Sequence, residues 1–311
     1  MQQLRKRHLN PIHASVFFVK PDGLTAGKGV KVQDDHFATK EEALDYCNEV
    51  LQTHPSVIIE EKFEGEEFSL QCLTDGKHVI ATPPVQDHKR ALLDDFGLNT
   101  GGMGSYSCED HLLPFLEKKD VEDGLKITIE VAKALHKETD EYYKGIMYAG
   151  LIKTKNGIKL VEYNARFGDP EAMNVLPILE TDFLDVCNAI LKQRLNSVNI
   201  KFENKATVLK YVVPKGYPEN PIKNEKIEIG KISRQARLYY ASVEKKEDGV
   251  YLTNSRAIGC LGISDNLENA EKIAEEAANS IYGPVFHRQD IGTKKLIQKR
   301  INHMKSLAGS K

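Results

Sequence analysis

The sequence predicts an α+β fold in two parts, and two patterns support that prediction. Up to about residue 196, strand-like runs rich in β-branched and aromatic residues alternate with segments of helical periodicity. From about residue 197, short strands dominate, and two amphipathic helices close the chain. No internal repeat or low-complexity linker marks the boundary near 194–206. We therefore expect a short segment at 1–14, one domain at 15–196 and a smaller, mostly β domain at 197–311.

The first part begins with alternating strands and helices. Short apolar runs predict strands at 16–20, 57–61, 68–73 and 78–81. Thr39 and Glu42 form a capping box at the start of a helix. The apolar face of this helix consists of Ala43, Leu44, Cys47, Val50 and Leu51. A second helix has Leu125, Ile129, Ala132 and Leu135 on one face.

A hairpin and a long helix complete the first part. Runs at 147–154 and 158–164 flank Asn156-Gly157, a dipeptide typical of tight hairpin turns. The helix then spans about 171–191, and Pro177 should kink or break it.

The second part starts with a strand at 207–213 and a turn at 214–218, and short strands continue to 262. Asp265 and Glu268 are expected to cap the first closing helix, which Gly283-Pro284 stops. Its apolar stripe consists of Ala270, Ile273, Ala274, Ala277, Ala278 and Ile281. Nothing in this part has a catalytic pattern.

Composition narrows the function classes. Across 311 residues the net charge is -2, which makes no electrostatic case for a nucleic-acid partner. Five scattered cysteines without a Cys-x-x-Cys pair indicate free thiols in a reducing compartment rather than disulfides or structural zinc. No apolar run approaches the roughly 20 residues of a membrane span, and the basic start has no apolar core typical of a secretory signal. A cytoplasmic location is expected.

Glu162, Asn164 and Arg166 are the most informative residues of the chain. They alternate along the second hairpin strand and its continuation, so their side chains point the same way. A carboxylate, an amide oxygen and a guanidinium would suit a hard cation that bridges to phosphate oxygens. The alternative is a solvated face with a Glu–Arg ion pair.

A glycine-rich loop follows the strand that delivers Lys20. Its glycines allow backbone N–H groups to crowd an anion, and Lys20 and Lys28 can neutralise phosphate charge. The Gly23-to-Gly27 spacing is too short for a P-loop, and Gly29 stands where Ser or Thr should bind magnesium. The alternative is a flexible hairpin tip.

Two further regions complete the candidate site. In 57–68, an apolar strand runs through an acidic segment into Gly65, a connection that can present backbone groups to adenine while a glutamate receives ribose hydroxyls. A solvated acidic loop is the alternative there. The segments Gln-Asp-His-Lys-Arg at 86–90 and Asn-Thr-Gly-Gly-Met-Gly-Ser-Tyr at 99–106 suit a mobile region that closes on anionic substrates, with local disorder as the competing interpretation.

Taken in their order along the chain, the four motifs resemble the ATP-grasp superfamily. More narrowly, they resemble the glycinamide ribonucleotide synthetases (phosphoribosylamine–glycine ligases), with the archaeal branch most similar. The motifs are Lys-x-Asp-Gly-Leu-x-x-Gly-Lys-Gly-Val from residue 20, Glu-Glu-x-x-x-Gly-Glu-Glu from 60, the two segments above, and Glu-Tyr-Asn-Ala-Arg-Phe-Gly-Asp-Pro-Glu from 162. The resemblance runs from about 18 to 304. It implies an ATP-grasp fold at 15–196, with two α+β subdomains enclosing ATP, followed by a C-terminal synthetase domain.

The resemblance implies that ATP phosphorylates glycine and that 5-phosphoribosylamine attacks the glycyl phosphate, giving glycinamide ribonucleotide for purine biosynthesis. Glu162 and Asn164 would hold Mg²⁺ or Mn²⁺, and the implied catalytic residues are Arg166, Asp169 and Lys28. The implied ATP-binding residues are Lys20, Gly27, Lys28, Gly29, Glu60, Glu61, Lys62, Phe63, Glu67 or its neighbour Glu66, and Asn99. The implied substrate-binding residues are Asp87, His88, Lys89, Arg90, Gly101 and Gly102.

The resemblance leads us to expect three departures from the family pattern. Two are the absence of a further N-terminal domain and of the segment that precedes the Lys20 strand. A separately encoded N-terminal domain is therefore one expected partner, beside glycine and 5-phosphoribosylamine. Phe96 and Leu98 stand where the pattern has a smaller polar residue and a proline. Three hypotheses stay open: the ligase, alone or with that partner; an ATP-grasp ligase for another carboxylate–amine pair; and an inactive or split chain that binds Mg·ATP only.

Overall fold

The computed structural model of the chain describes residues 17–23, 29–33 and 36–309. It divides into two compact units, Met1–Glu64 and Gly65–Lys311. Within the described residues the helices are α1 Lys40–Val50, α2 Lys118–Thr139, α3 Ala172–Val175, α4 Phe183–Leu191, α5 Leu267–Asn279 and α6 Lys294–Gly309.

The strands divide between the same two units. In the first unit they are β1 Phe17–Pro21, β2 Lys31–Val32 and β3 Val57–Glu61. In the second unit they are β4 Gly65–Thr74, β5 Val79–Ala81, β6 Gln86–Asp87, β7 Gly104–Ser107, β8 Gly145–Thr154, β9 Gly157–Asn164, β10 Ala206–Pro214, β11 Lys226–Ile229, β12 Ala236–Tyr240, β13 Val243–Lys246, β14 Gly249–Leu252, β15 Ile258–Ser264, β16 Ile281–Tyr282 and β17 Val285–Phe286.

The first unit is a small sheet covered by one helix. The strands are antiparallel in the order β2-β1-β3. Helix α1 is capped by Thr39, whose side chain accepts from the backbone N–H of Glu42, so the predicted capping box is confirmed. The helix buries Ala43 and Cys47 beside Val19. This unit carries the predicted phosphate and adenine residues.

In the second unit, a four-stranded sheet in the order β5-β4-β8-β9 carries the candidate metal ligands. Helix α2 packs across it, and a Cβ on its Gly124 would lie only 2.7 Å from Leu151, so the glycine allows close contact. A second sheet follows the order β12-β15-β10-β7-β6, with β17 also paired to β10. This sheet joins strands from residues 86–107 to strands from residues 206–264 through the pairing of β10 with β7.

Most predicted elements are confirmed. The hairpin of β8 and β9 has the expected turn. The helix predicted at 171–191 is broken: a short 3₁₀ turn with Pro177 separates α3 from α4, as the missing N–H of proline requires. The α+β class is confirmed, while the domain division at 15–196 and 197–311 stays a prediction. All five cysteines are free thiols.

Several details of the helix predictions are wrong. Leu135 of α2 is exposed, and Ile281 lies on β16, because α5 ends at Asn279, before Gly283-Pro284. Leu44 and Leu51 are exposed rather than on the buried face of α1. Helix α5 is capped by Asn266, whose side chain accepts from the N–H of Asn269 at 2.9 Å. Asp265 instead forms an ion pair with Lys205, since the cap is one residue further along. Among the helices that the structure describes, none combines the length and apolar character needed to cross a membrane.

Candidate functional site

Glu162 and Asn164 lie together on β9, as their alternate spacing predicts. Nδ2 of Asn164 donates to Oε1 of Glu162 at 3.4 Å. Glu162 is paired with Gly150 on β8, next to a β-bulge. A Cβ on Gly150 would lie 3.2 Å from Cγ of Glu162, so the glycine leaves room for the glutamate side chain. The hairpin therefore presents two oxygen-bearing side chains at one point of the sheet.

A small pocket lies over this part of the sheet and includes Glu162 in its wall. Its other charged or polar lining side chains are Glu67 and Ser69 from β4, Asp87 and Lys89 from the segment around β6, and Tyr148 from β8. Nζ of Lys89 lies 3.8 Å from a carboxylate oxygen of Glu67. Three predicted site segments thus meet in the second unit.

Lys89 is the cation of this pocket, and acidic side chains act on it from several elements. These are Glu67, Asp87, Glu162 and Glu171. Desolvation favours the neutral amine, but the carboxylates outweigh it, so the pKa of Lys89 is raised. The lysine therefore keeps its positive charge throughout the physiological pH range.

Asp87 and Glu171 form an acidic pair beside the same pocket. Burial, followed by the negative charge of Glu171, raises the pKa of Asp87 well above its ordinary value, although Lys89 opposes the shift. Oδ1 of Asp87 accepts from the backbone N–H of His88 at 2.7 Å. Oε1 of Glu171 accepts from the hydroxyl of Tyr148 at 2.7 Å. The pair therefore favours a proton or a nearby cation over two free negative charges.

A divalent cation suits the Glu162 end of this pocket by charge and by donor type. The available side-chain donors are oxygens, and acidic groups outnumber the lysine. Within the part of the chain that the structure describes, no three acidic, histidine or cysteine side chains could enclose a metal ion by themselves. Mg²⁺ commonly takes one or two carboxylates from the protein and its other ligands from substrate phosphates and water. Glu162 and Asn164 fit that kind of site.

Two side chains from the second half of the chain hold Asp169. The hydroxyl of Tyr211 donates to Oδ1 at 2.8 Å, and Nη2 of Arg256 donates to Oδ2 at 2.8 Å. The side chain of Asp169 is still 53% exposed, so it is oriented yet open to solvent. The second half, in which the sequence shows no catalytic pattern, therefore supplies two contacts to a predicted site residue. Arg166 is exposed, and its Nη1 donates to the carbonyl of Phe167 at 2.8 Å.

Gly101 and Gly102 are packed closely on both sides. Nη1 of Arg256 donates to the carbonyl of Gly101 at 2.7 Å and to that of Gly102 at 3.1 Å. A Cβ on Gly101 would lie 3.1 Å from the guanidinium. At Gly102, where φ is +112°, a Cβ would lie 2.6 Å from Oδ1 of Asp87. Close contact therefore explains both glycines without requiring that the loop move.

His88 has the surroundings of a core residue, although it is predicted to contact substrate. Its side chain is 2% exposed, and among the described residues neither ring nitrogen has a hydrogen-bond partner. Burial, together with the charges of Arg300 and Arg288, lowers its pKa to about 3. The ring is therefore neutral near pH 7, whereas Asp87 and Lys89 on either side line the pocket.

The loop after His88 turns back on itself. Nη1 of Arg90 donates to the carbonyl of Gly97 at 3.0 Å, and Arg90 pairs with Asn99 in an isolated β-bridge. Asn99 is exposed. Phe96 and Leu98, which depart from the family pattern, are also exposed at the loop surface.

Glu66 and Glu67 are neighbours on β4 but have different surroundings. Glu66 is buried, with Oε1 2.6 Å from Nδ1 of His303 and Oε2 3.4 Å from Nε of Arg300. Burial raises the pKa of Glu66, although Arg300 and His303 oppose the shift. Glu67 is exposed and lines the pocket. Of the two ribose candidates, Glu67 is the one whose carboxylate is accessible.

The first unit brings two predicted nucleotide-binding residues together. Lys20 on β1 donates a hydrogen bond to the carboxylate of Glu60 on the neighbouring strand β3. Glu61 and Lys62 are exposed, Phe63 is half-buried, and the carbonyl of Gly29 accepts from the hydroxyl of Tyr46 at 2.8 Å. Gly27 and Lys28, like the predicted segment 1–14, lie outside the described residues.

Sequence reasoning missed several residues that shape the site. Tyr148 and Gln71 orient motif residues: the N–H of Gly168 donates to Oε1 of Gln71 at 2.7 Å. Tyr211 and Arg256 reach Asp169 from positions 42 and 87 residues away in the chain. No local spacing could have identified these long-range partners.

Comparison with solved structures defines the class. A phosphoribosylamine–glycine ligase from Thermotoga maritima has a TM-score of 0.74 and 25% identity, over 88% of this chain and 68% of its own. A biotin carboxylase from Campylobacter jejuni has the same fold, with a TM-score of 0.67 and 14% identity, over 93% of this chain and 64% of its own. A family model of the ATP-grasp (A) domain of phosphoribosylglycinamide synthetase matches residues 2–172. The chain is an ATP-grasp protein.

The remaining matches narrow the class to one family. The C domain of phosphoribosylglycinamide synthetase matches residues 207–294. Phosphoribosylamine–glycine ligases from Methanosarcina acetivorans and Methanocaldococcus jannaschii are 51% and 52% identical, over 94% and 93% of this chain. The chain belongs to the phosphoribosylglycinamide synthetase family, and its predicted resemblance to archaeal members is confirmed. It spans 66% of the length of each of these two relatives.

Proposed function

We propose that the chain ligates glycine to 5-phosphoribosylamine at the expense of ATP, giving glycinamide ribonucleotide, ADP and phosphate. The observation that supports this most is the pocket in which Lys89 lies among carboxylates beside Glu162, in a chain about half identical to phosphoribosylamine–glycine ligases. The glycine carboxylate takes the γ-phosphoryl group of ATP. The amine then attacks the carbonyl carbon, the bond to the phosphate oxygen breaks, and the amine loses one proton.

Charge stabilisation is the main task of the proposed site, because phosphoryl transfer spreads negative charge over the transferred oxygens. Lys89, which keeps its proton, would balance that charge from one side of the pocket. Arg166 would contact the transferring group, and Lys20 and Lys28 the ATP phosphates. Mg²⁺ or Mn²⁺, held by Glu162 and Asn164, would neutralise further phosphate charge.

The other predicted residues are assigned to two ends of the site: the ATP end, and the acceptor end, where glycine and 5-phosphoribosylamine would bind. The ATP end would be formed by Gly27, Gly29, Glu60, Glu61, Lys62, Phe63, Glu67 and Asn99. The acceptor end would be formed by Asp87, Lys89, Arg90, Gly101, Gly102 and Asp169. No general base is required, since an amine attacks without prior deprotonation. A cytoplasmic location belongs to the same proposal and is supported by the free thiols.

The decisive experiment is an assay of phosphate release from Mg·ATP with glycine and 5-phosphoribosylamine supplied together or singly. Release that requires both substrates, with glycinamide ribonucleotide formed, is the expected result. Release that depends on another carboxylate–amine pair would assign a different ligase activity. ATP binding without turnover, even after a separately encoded N-terminal domain is added, would refute the proposed reaction for this chain.

A further inference from the structure

We propose that Arg256 is a positioning residue for the acceptor end of the site, a role that no motif of the first half assigns. It lies in the connection between β14 and β15 and contacts two loops. One is the loop of residues 99–104, called the glycine loop below, and the other is the loop that carries Asp169. Its role rests on the proposed function, because it concerns where the acceptor substrates bind.

The contacts of Arg256 are numerous and specific. Its Nη1 donates to the carbonyls of Gly101, Gly102 and Asp169 at 2.7, 3.1 and 3.1 Å. Its Nη2 donates to Oδ2 of Asp169 at 2.8 Å. One guanidinium therefore joins the backbones of two loops that are almost 70 residues apart in the sequence. The donor is charged in each contact, which makes it stronger than a bond between neutral groups.

Only an arginine satisfies this arrangement. The guanidinium is planar, so it can direct several N–H groups at separate acceptors while its face lies over an aromatic ring. Here its carbon lies 4.6 Å from the centroid of the Tyr211 ring. The Arg256 side chain is 14% exposed, which reduces competition from water. A lysine would keep the charge but not this fork of bonds.

A path of contacts leads from Arg256 to the pocket. Gly102 packs against Asp87 so closely that a Cβ would lie 2.6 Å from the carboxylate. The hydroxyl of Thr100, in the same loop, donates to the carbonyl of Lys89 at 2.8 Å. Asp87 and Lys89 both line the pocket. A shift of the glycine loop would therefore move two residues that line the pocket.

The test compares Arg256→Lys and Arg256→Gln with wild type, and uses Arg234→Lys at an exposed arginine of the same half as the matched control. KM is measured separately for glycine, 5-phosphoribosylamine and ATP. We expect KM for at least one acceptor to rise about tenfold in Arg256→Lys, the effect of losing a charge-assisted bond or two, and to rise further in Arg256→Gln. KM for ATP should change less than KM for the acceptors, because Arg256 bonds Gly101, Gly102 and Asp169, none of which is assigned to the ATP end.

Two kinetic results would overturn the proposal. Wild-type kinetics in both variants would show that the contacts have no effect on the acceptor site. Equal changes in all three KM values, together with a lower melting temperature, would show a general structural role instead.

Hydrogen exchange supplies a readout that does not depend on turnover. In Arg256→Lys, amides of residues 100–104 and 167–171 should exchange faster than in wild type, while those of β9 should not. Failure of the wild-type chain to use glycine and 5-phosphoribosylamine would refute the proposed function alone. Unchanged exchange in both loops would refute the positioning role, whatever the reaction.

Discussion

Replacing Glu162 by glutamine should remove function while leaving the fold unchanged. The substitution removes one negative charge and conserves the size of the side chain. Glu162 is exposed, and its contact with Nδ2 of Asn164 is long, at 3.4 Å. Substitutions at exposed positions of this kind change the free energy of unfolding by less than about 0.5 kcal/mol. The melting temperature of Glu162→Gln should therefore match that of wild type.

The effect on turnover should be far larger. Removing one preorganised electrostatic group from a reaction site costs about 2.7–4 kcal/mol, which is about 10²–10³-fold in rate. Glu162 also contributes to the raised pKa of Lys89, so its neutralisation weakens the hold of that lysine on its proton. We expect kcat to fall at least about 100-fold at saturating Mg·ATP, with a weaker apparent affinity for the metal.

The assay measures glycinamide ribonucleotide formation across a magnesium titration, and Mn²⁺ binding is followed in parallel by electron paramagnetic resonance. Glu130→Gln is the matched control: it is the same substitution at an exposed glutamate of α2, where an ion pair with Lys133 at 3.2 Å lies outside the site. It should leave activity and metal dependence unchanged. Wild-type turnover and wild-type Mn²⁺ binding in Glu162→Gln would refute the assignment of the metal ligand.

Three further predictions concern stability and the glycine loop. Asp75→Asn should lower the free energy of unfolding at pH 7 by about 2 kcal/mol, because the fully buried carboxylate accepts the N–H of Leu195 at 2.8 Å among other bonds. Although burial opposes it, hydrogen bonding lowers the pKa of Asp75 to about 2, so this stabilisation is present above about pH 4 and is lost as the pH falls toward 2. Lys210→Met should destabilise by about 3 kcal/mol, since it leaves two glutamates without their buried ammonium partner. Gly102→Ala should lower acceptor-dependent turnover about tenfold or more, because its Cβ would meet Asp87 in a left-handed backbone conformation.

Chemical denaturation at several pH values checks the first two of these predictions, and steady-state kinetics checks the third. A stability difference between wild type and Asp75→Asn that is the same at pH 2.5 and pH 7 would contradict the pKa argument. A Lys210→Met variant as stable as wild type would show that the two glutamates relax into water. Gly157→Ala controls for added bulk at a glycine of positive φ, because its Cβ would meet nothing within 4 Å.

Local patterns were sufficient for most of the fold and for placing Glu162 and Asn164 together on β9. The Glu162 and Asn164 prediction needed just a turn dipeptide and the alternation of a strand, both of which act between near neighbours. The His88 prediction shows the limit of this reasoning. A motif states that polar residues are adjacent, but not which side of the strand is buried, and His88 lies in the interior.

The contact between Arg256 and Asp169 could not be predicted either, but for a different reason. Arg256 stands in a turn with no motif around it, and its partner lies 87 residues earlier in the chain. This contact depends on the sheet in which β10 pairs with β15 of the second half and with β7 of the first half. A single sequence carries periodicity and spacing, whereas contacts between distant segments arise only from tertiary packing.

The sheet through β10 has a consequence for how this family can be cut into parts. The two family models end and begin at residues 172 and 207, as if they were separable modules. Yet β10 is hydrogen-bonded to β7 on one side and to β15 on the other. A truncated chain ending near residue 200 would leave β7 with an unpaired edge, a known route to aggregation. The truncation would also remove Ala206, Val208, Ala270 and Ala274 from the core cluster that contains Tyr106 and Leu113. Gene fusions and expression fragments in this family should therefore keep residues 65–309 together.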